Sequence, residues 1–140
     1  MEFLVNLDVD NLEAASRFYV AAFGFEVGRR LGNFGVEMLG GPAPIYLLAR
    51  PAGTAAASTI AQQRSYARHW TPVHLDFVVE EIDSAVQRAI AAGAQLERPV
   101  TIQPWGKLAL MADPFGHGFC LVEFLGRGYD EIAGRAASTH

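Results

Sequence analysis

His74 and Asp76 stand two residues apart in the alternating stretch Val73–Val79. A strand there turns both side chains to one face, because side chains in a strand alternate with a period of two. An imidazole beside a carboxylate is an acid–base pair. The ring titrates near neutrality and the carboxylate fixes its orientation. Leu4 and Asn6 occupy the same two places seventy residues earlier. Glu37, between Val36 and Met38, adds a second carboxylate, a base if it faces inward and a solvated group if it faces outward. Cys120 lies in the apolar run Phe119–Val122, just after the turn Asp113-Pro114-Phe115-Gly116.

Each of these residues also has a plainer role compatible with the same pattern. His74 can be a wall histidine bonded to Asp76 or to a backbone carbonyl. Cys120 can be an inert buried thiol, the usual fate of a free cysteine. Asp113 suits capping of its own turn, and His117 a solvated turn position. Asp8 and Asp10 suit a strand end and a helix N-terminus, where the helix dipole favours a carboxylate.

The elements that must position these groups come from an internal repeat. Val9-Asp10-Asn11-Leu12-Glu13-Ala14-Ala15 is matched by Val79-Glu80-Glu81-Ile82-Asp83-Ser84-Ala85. Each copy follows an alternating stretch, Phe3 to Val9 and Val73 to Val79, and each opens a helix. In the first, Leu12, Ala15, Ser16, Tyr19 and Phe23 fall near one face, with Asp10 or Asn11 as N-cap. In the second, Ile82, Ala85, Val86, Ala89 and Ile90 keep the helical period. Gly24 and Gly93 mark the helix ends. Three strands follow each helix: Glu26–Leu31, Gly35–Leu39 and Ile45–Ala49, then Gln95–Val100, Lys107–Ala112 and Phe119–Phe124. The pattern is βαβββ twice. Module one spans about 3–50, a linker 51–72, module two 73–125 and a tail 126–140. The linker is expected to hold a short helix at Ile60–Arg68, and the tail one helical turn at Tyr129–Ala133 before fraying.

The 140 residues are 51% hydrophobic and 19% charged, which suits one folded domain. A net charge of −4, with scattered basic residues, argues against a nucleic-acid partner. No apolar run is long enough for a membrane span, and no signal peptide is visible, so a cytoplasmic location is expected. The single cysteine excludes an intrachain disulfide.

The duplicated βαβββ pattern, the start "HLDFVVEEIDSAV" and the hairpin "WGKLALMADPFGHG" resemble the vicinal oxygen chelate superfamily over nearly all of residues 3–125. That superfamily groups glyoxalase I, bleomycin-resistance proteins, extradiol dioxygenases and fosfomycin-modifying enzymes. The resemblance implies an α+β fold whose two tandem modules form a curved, cup-shaped mixed sheet with helices on its outer face. It also implies metal-ligand positions on the first and last strand of each module, here Leu4, Tyr46, His74 and Cys120. Leucine cannot coordinate, which departs from the three-ligand catalytic pattern.

The expectation is therefore a protein that binds a small organic molecule in the cup without a metal. "QPWG" resembles the bleomycin-resistance branch, whose members bind drug in that way. The alternatives are a metal-dependent lyase, isomerase or dioxygenase with an atypical set (His74 and Cys120, with or without Asp76), or a metal-free acid–base enzyme using His74, Asp76 and Glu37. Ligand contacts are expected from Leu4, Asn6, Tyr46 and Leu48 in module one. Module two is expected to supply His74, Trp105, Cys120 and Val122. Phe34, Phe115 and Trp70 are further rim aromatics, while Trp105 alternatively anchors its hairpin to the core. The stretch "RSYARHW" either closes over an anionic or aromatic ligand or forms a linker helix with solvated arginines. A homodimer is expected, as in many relatives.

Overall fold

The apolar patterns become the elements they suggest, in a computed structural model of the protein that describes residues 1–134. Module one runs β1 (Val5–Val9), α1 (Leu12–Phe23), β2 (Glu26–Leu31), β3 (Gly35–Leu39) and β4 (Ile45–Ala49). The linker holds β5 (Ala55–Ala57) and β6 (Ile60–Gln63). Module two runs β7 (Leu75–Val78), α2 (Ile82–Ala92), β8 (Gln95–Gln103), β9 (Gly106–Ala112) and β10 (Gly118–Phe124). A 3-10 turn at Gly128–Glu131 closes the described chain, overlapping the expected turn. The expectation for residues 135–140 lies outside the described residues.

Both helices begin where a side chain takes over an orphan backbone donor. Asn11 Oδ1 accepts from the amide of Ala14 at 3.0 Å. At α2 the carboxylate of Glu81 accepts from Asp83 and Ser84 at 3.1 and 2.8 Å. Glu123, reaching across from β10, accepts from Ile82 at 2.8 Å. Gly24 and Gly93 end the helices at φ 71° and 119°, a region that suits glycine.

The two modules build the same sheet, in the orders β1-β4-β3-β2 and β7-β10-β9-β8. The first and last strand of each module are parallel neighbours and the rest antiparallel. One face of each sheet carries the core. Val9, Val36, Met38 and Leu47 pack under α1, and Ala109, Met111 and Leu121 under α2. Phe18, Phe23, Phe77 and Phe119 join the two halves, with the Phe23 and Phe77 rings stacked at 4.1 Å. Phe115, expected at the rim, is buried in this cluster against Phe18.

Polar bonds fix the halves together. Tyr19 of α1 donates its hydroxyl to Asp113 Oδ2 at 2.7 Å. The other oxygen of Asp113 accepts from the amides of Phe115 and His117 at 2.8 and 2.9 Å. His117, expected to be solvated, donates its Nε2 hydrogen to the Asp8 carbonyl at 2.7 Å. No ladder joins β1 to β7, so both remain sheet edges facing across the seam.

The expected helix at Ile60–Arg68 does not form. Residues 60–63 pair with 55–57 as a small hairpin. Arg64 fastens it: its Nε donates to Asp8 Oδ2 at 2.8 Å, and its guanidinium reaches Thr54 Oγ1 and the carbonyls of Ala55 and Ala56. These contacts outweigh the helix propensity of an Ala- and Gln-containing stretch. The arginines of this segment are paired rather than solvated, since Arg68 meets Glu97 at 2.7 Å.

Tyr19→Phe deletes the donor to a buried carboxylate. It is expected to cost about 1.5–3 kcal/mol, the range for hydrogen bonds to charged groups. Urea unfolding followed by circular dichroism measures the loss.

Candidate functional site

The strand registers give the two modules equivalent positions. Asn6 pairs with Tyr46 across β1 and β4, and Asp76 pairs with Cys120 across β7 and β10. Tyr46 is thereby the counterpart of Cys120. Leu4 and His74 each lie one residue before their strand begins. Glu37 lies opposite Tyr46 on β3, where Leu110 lies opposite Cys120 on β9. All these side chains belong to the sheet faces turned away from the helices.

Module one closes its position with an ion pair. Glu37 is only 5% exposed. Its carboxylate takes three bonds from the Arg29 guanidinium, the nearest at 2.8 Å, one from the Arg29 amide at 3.0 Å and one from the Tyr46 hydroxyl at 2.7 Å. These donors favour the ionised form. The Arg29 side chain contributes most, and together they hold the carboxyl at about 2 against an ordinary 4.5. Gly28 leaves the room for it, because a Cβ there would stand 2.5 Å from Glu37 Oε1. Glu37 is inward-facing, as one of the two readings required, but its lone pairs are taken up by this network rather than free for a substrate proton.

Module two keeps its position open. His74 Nε2 and Asp76 Oδ1 are 3.1 Å apart, and both side chains are partly exposed. Cys120 completes a group whose donor atoms all lie within 4.8 Å of one another. Burial, then the charge of Asp76, pushes the Cys120 thiol up to about 11, so it is protonated at neutral pH.

Two cavities adjoin this group. One, of about 410 Å³, runs along the seam between β1 and β7, with Asn6, His74, Phe77 and His117 on its wall. The other, of about 150 Å³, lies beside it against Trp70, His74, Leu110 and Cys120. Trp70 stands at the mouth, 80% exposed. Arg68 lies across Gly118, which has no Cβ to exclude it, and reaches Glu97.

Of the expected ligand contacts, Asn6, His74 and Cys120 line these cavities, whereas Leu4, Tyr46, Leu48, Trp105 and Val122 line neither. Val122 shares the face of Cys120 but is 1% exposed. Trp105 packs on Phe124 and Tyr129 and anchors its hairpin. Leu4 is exposed ahead of β1, and Tyr46 is consumed by Glu37. Arg29 was not foreseen, His117 was expected only as a solvated turn residue, and His69 only within the stretch that either closes over a ligand or forms a linker helix. A register shift in β2 between Val27 and Arg30 sets both Gly28 and Arg29 against Glu37, so a regular strand period does not reveal the pairing. His69 and His117 reach the seam cavity through the linker and a turn, where no period applies.

The four positions that the resemblance implies for metal ligands, Leu4, Tyr46, His74 and Cys120, do not form a four-donor site here. Leu4 has no donor atom, and the Tyr46 hydroxyl is committed to Glu37 and Arg29. The donors that do converge, His74, Asp76 and Cys120, all come from one module. They are the set among the described residues that could hold a metal, with nitrogen, oxygen and sulfur of the kind zinc accepts.

Paired βαβββ modules with polar groups on the open sheet faces define the architecture of glyoxalase-related proteins. The chain belongs to the glyoxalase-like domain family of the vicinal oxygen chelate superfamily, whose family model matches residues 4–122. It is 31% identical over 135 residues to the anthracycline biosynthesis protein DnrV of Streptomyces peucetius, covering 95% of this chain and 44% of DnrV. The chain thus spans less than half the length of that relative. A glyoxalase/bleomycin resistance protein/dioxygenase family enzyme from Burkholderia phytofirmans PsJN superposes with a TM-score of 0.68 at 22% identity, over 87% of this chain and 97% of that one. TioX from Micromonospora sp. ML1 gives 0.68 at 21%, over 89% and 99%.

A carboxyl depressed in the folded state contributes stability that is present above its unfolded value and lost as pH falls through its folded one. For Glu37 that window runs from 4.5 down to about 2. Unfolding midpoints in urea should therefore drop across this range, and Glu37→Gln should flatten that part of the profile.

Proposed function

We propose that this protein binds a small, flat organic molecule at the seam between its modules, without a metal of its own. The observation that carries the reading is the cavity of about 410 Å³ with Asn6 of β1 and His74 at the head of β7 on its wall. Its size is in the range of small-molecule sites. Polar groups on its wall, among them Asn6, His69 and His74, offer donors and acceptors beside Leu7, Leu75 and Phe77. Trp70 at the adjoining mouth supplies a ring for stacking. DnrV carries a name in anthracycline biosynthesis, which favours a flat polycyclic ligand.

One feature supports binding without a metal: the module-one positions offer no free donor, since Leu4 has none and the Tyr46 hydroxyl is bonded to Glu37 and Arg29. The contact between His74 and Asp76 also favours a second reading, a metal-free acid–base enzyme in which Asp76 orients the imidazole and His74 moves a substrate proton.

The first test is metal content on protein purified without chelator, followed by titration with an anthracycline. Near-zero metal, and binding weakened about tenfold by His74→Ala, are expected, a loss of about 1.4 kcal/mol. One metal per chain that vanishes in His74→Ala would overturn the metal-free reading. Undiminished anthracycline affinity in the variant would overturn the placement of the site. Turnover abolished in His74→Asn with binding retained would favour the enzyme.

We also propose a homodimer. Phe3, Leu4, Val73, Val78 and Ile102 are all large apolar side chains more than half exposed. Light scattering should give twice the mass of the chain, and the monomer mass would refute the pairing.

A further inference from the structure

A second cavity, of about 480 Å³, lies on the other side of the strand edges, beneath the helices. We propose that it is a separate binding site for an aromatic anion, a flat apolar body carrying one carboxylate or sulfonate. The cavity is bounded by the end of α1, by α2 and by the loop between β3 and β4. It shares Val5, Leu75 and Phe77 with the seam cavity but includes none of His74, Cys120 and Asn6.

Its chemistry is set by three rings and one cation. Phe23, Phe25 and Phe77 lie within 6.1 Å of one another, centroid to centroid, and all three line it. Such a wall favours a flat aromatic guest, which buries large area by offset or edge contacts. Arg88 of α2 is on the same wall. Arg88 takes part in none of the ion pairs among the described residues. Its guanidinium offers a planar fork that fits a carboxylate or sulfonate. The other charged residue on the wall, Asp76, has its carboxylate beside His74. Arg88 is solvent-exposed on α2, so it favours an anionic group at the edge of the cavity over a cationic one.

The probes are 8-anilinonaphthalene-1-sulfonate and its uncharged parent N-phenyl-1-naphthylamine, each titrated by fluorescence against the folded full chain. The sulfonate is expected to bind at a single saturable site. Arg88→Gln should weaken it about tenfold, the loss of a charge-assisted contact, and leave the uncharged probe unaffected. Ala43→Trp, on the β3–β4 loop, should fill the cavity and abolish both signals with an unchanged circular dichroism spectrum. If that variant unfolds, the Arg88→Gln comparison decides alone. His74→Ala, which alters the seam site, should leave the Arg88-dependent part of the sulfonate binding unchanged, which separates the two sites. Sulfonate affinity that survives Arg88→Gln, or that falls as much in His74→Ala, would overturn the proposal.

Discussion

Asp113 is the constraint on which the arrangement of the two modules depends. One carboxylate oxygen shapes the turn between β9 and β10 by accepting two amides. The other receives the hydroxyl of Tyr19 from the opposite module. A buried carboxylate is costly unless its lone pairs are satisfied, so neither half of this arrangement is free to move without the other. His117, held by the same turn, adds the bond to the Asp8 carbonyl. The halves are therefore clamped through α1, the turn and the aromatic cluster, and not through their strands. β1 and β7 are left as neighbouring edges with space along them, and both larger cavities lie on that line.

The repeat makes the divergence of the two modules visible. Tyr46 and Cys120 are equivalent, as are Glu37 and Leu110, and Asn6 and Asp76. In module one an acid on β3 has a phenol and a guanidinium around it, and the position is closed. In module two the acid has moved to the first strand, β9 offers only a leucine, and His74, Asp76 and Cys120 stay accessible. The same backbone thus carries a structural ion pair in one copy and a chemically versatile group in the other. This is how one fold comes to host unrelated functions.

Much of the architecture was legible because both helices and the strands of each module carry a period, 3.6 or 2, and the repeat supplied a second reading of each element. The caps at Asn11, Gly24 and Gly93 were legible for the same reason. His74 with Asp76 was legible too, since spacing of two within one strand suffices. What escaped depends on contacts between distant residues. The hairpin at 55–63 is held by Arg64, whose partner Asp8 is 56 residues away. The role of Arg29 is hidden by the register shift in β2, and that of His117 by a turn. The cavities follow from how the modules dock, which no local pattern encodes.

The alternation of strand side chains explains why core and site vary independently in this chain. On β1 the odd positions Val5, Leu7 and Val9 pack toward the helix, while Asn6 and Asp8 face away. On β7, Leu75 and Phe77 pack and Asp76 faces away. Solved structures at 21–22% identity share this backbone. Val5, Leu75 and Phe77 are the exceptions, because they lie on edge strands and line both larger cavities, and of the three Phe77 carries the joint between the modules. It stacks on Phe23 in the core and also forms part of the wall of both larger cavities. Its ring can neither shrink without loosening the joint between the modules nor grow without closing a cavity. Packing and recognition meet at that residue, and there the independence of the two faces ends.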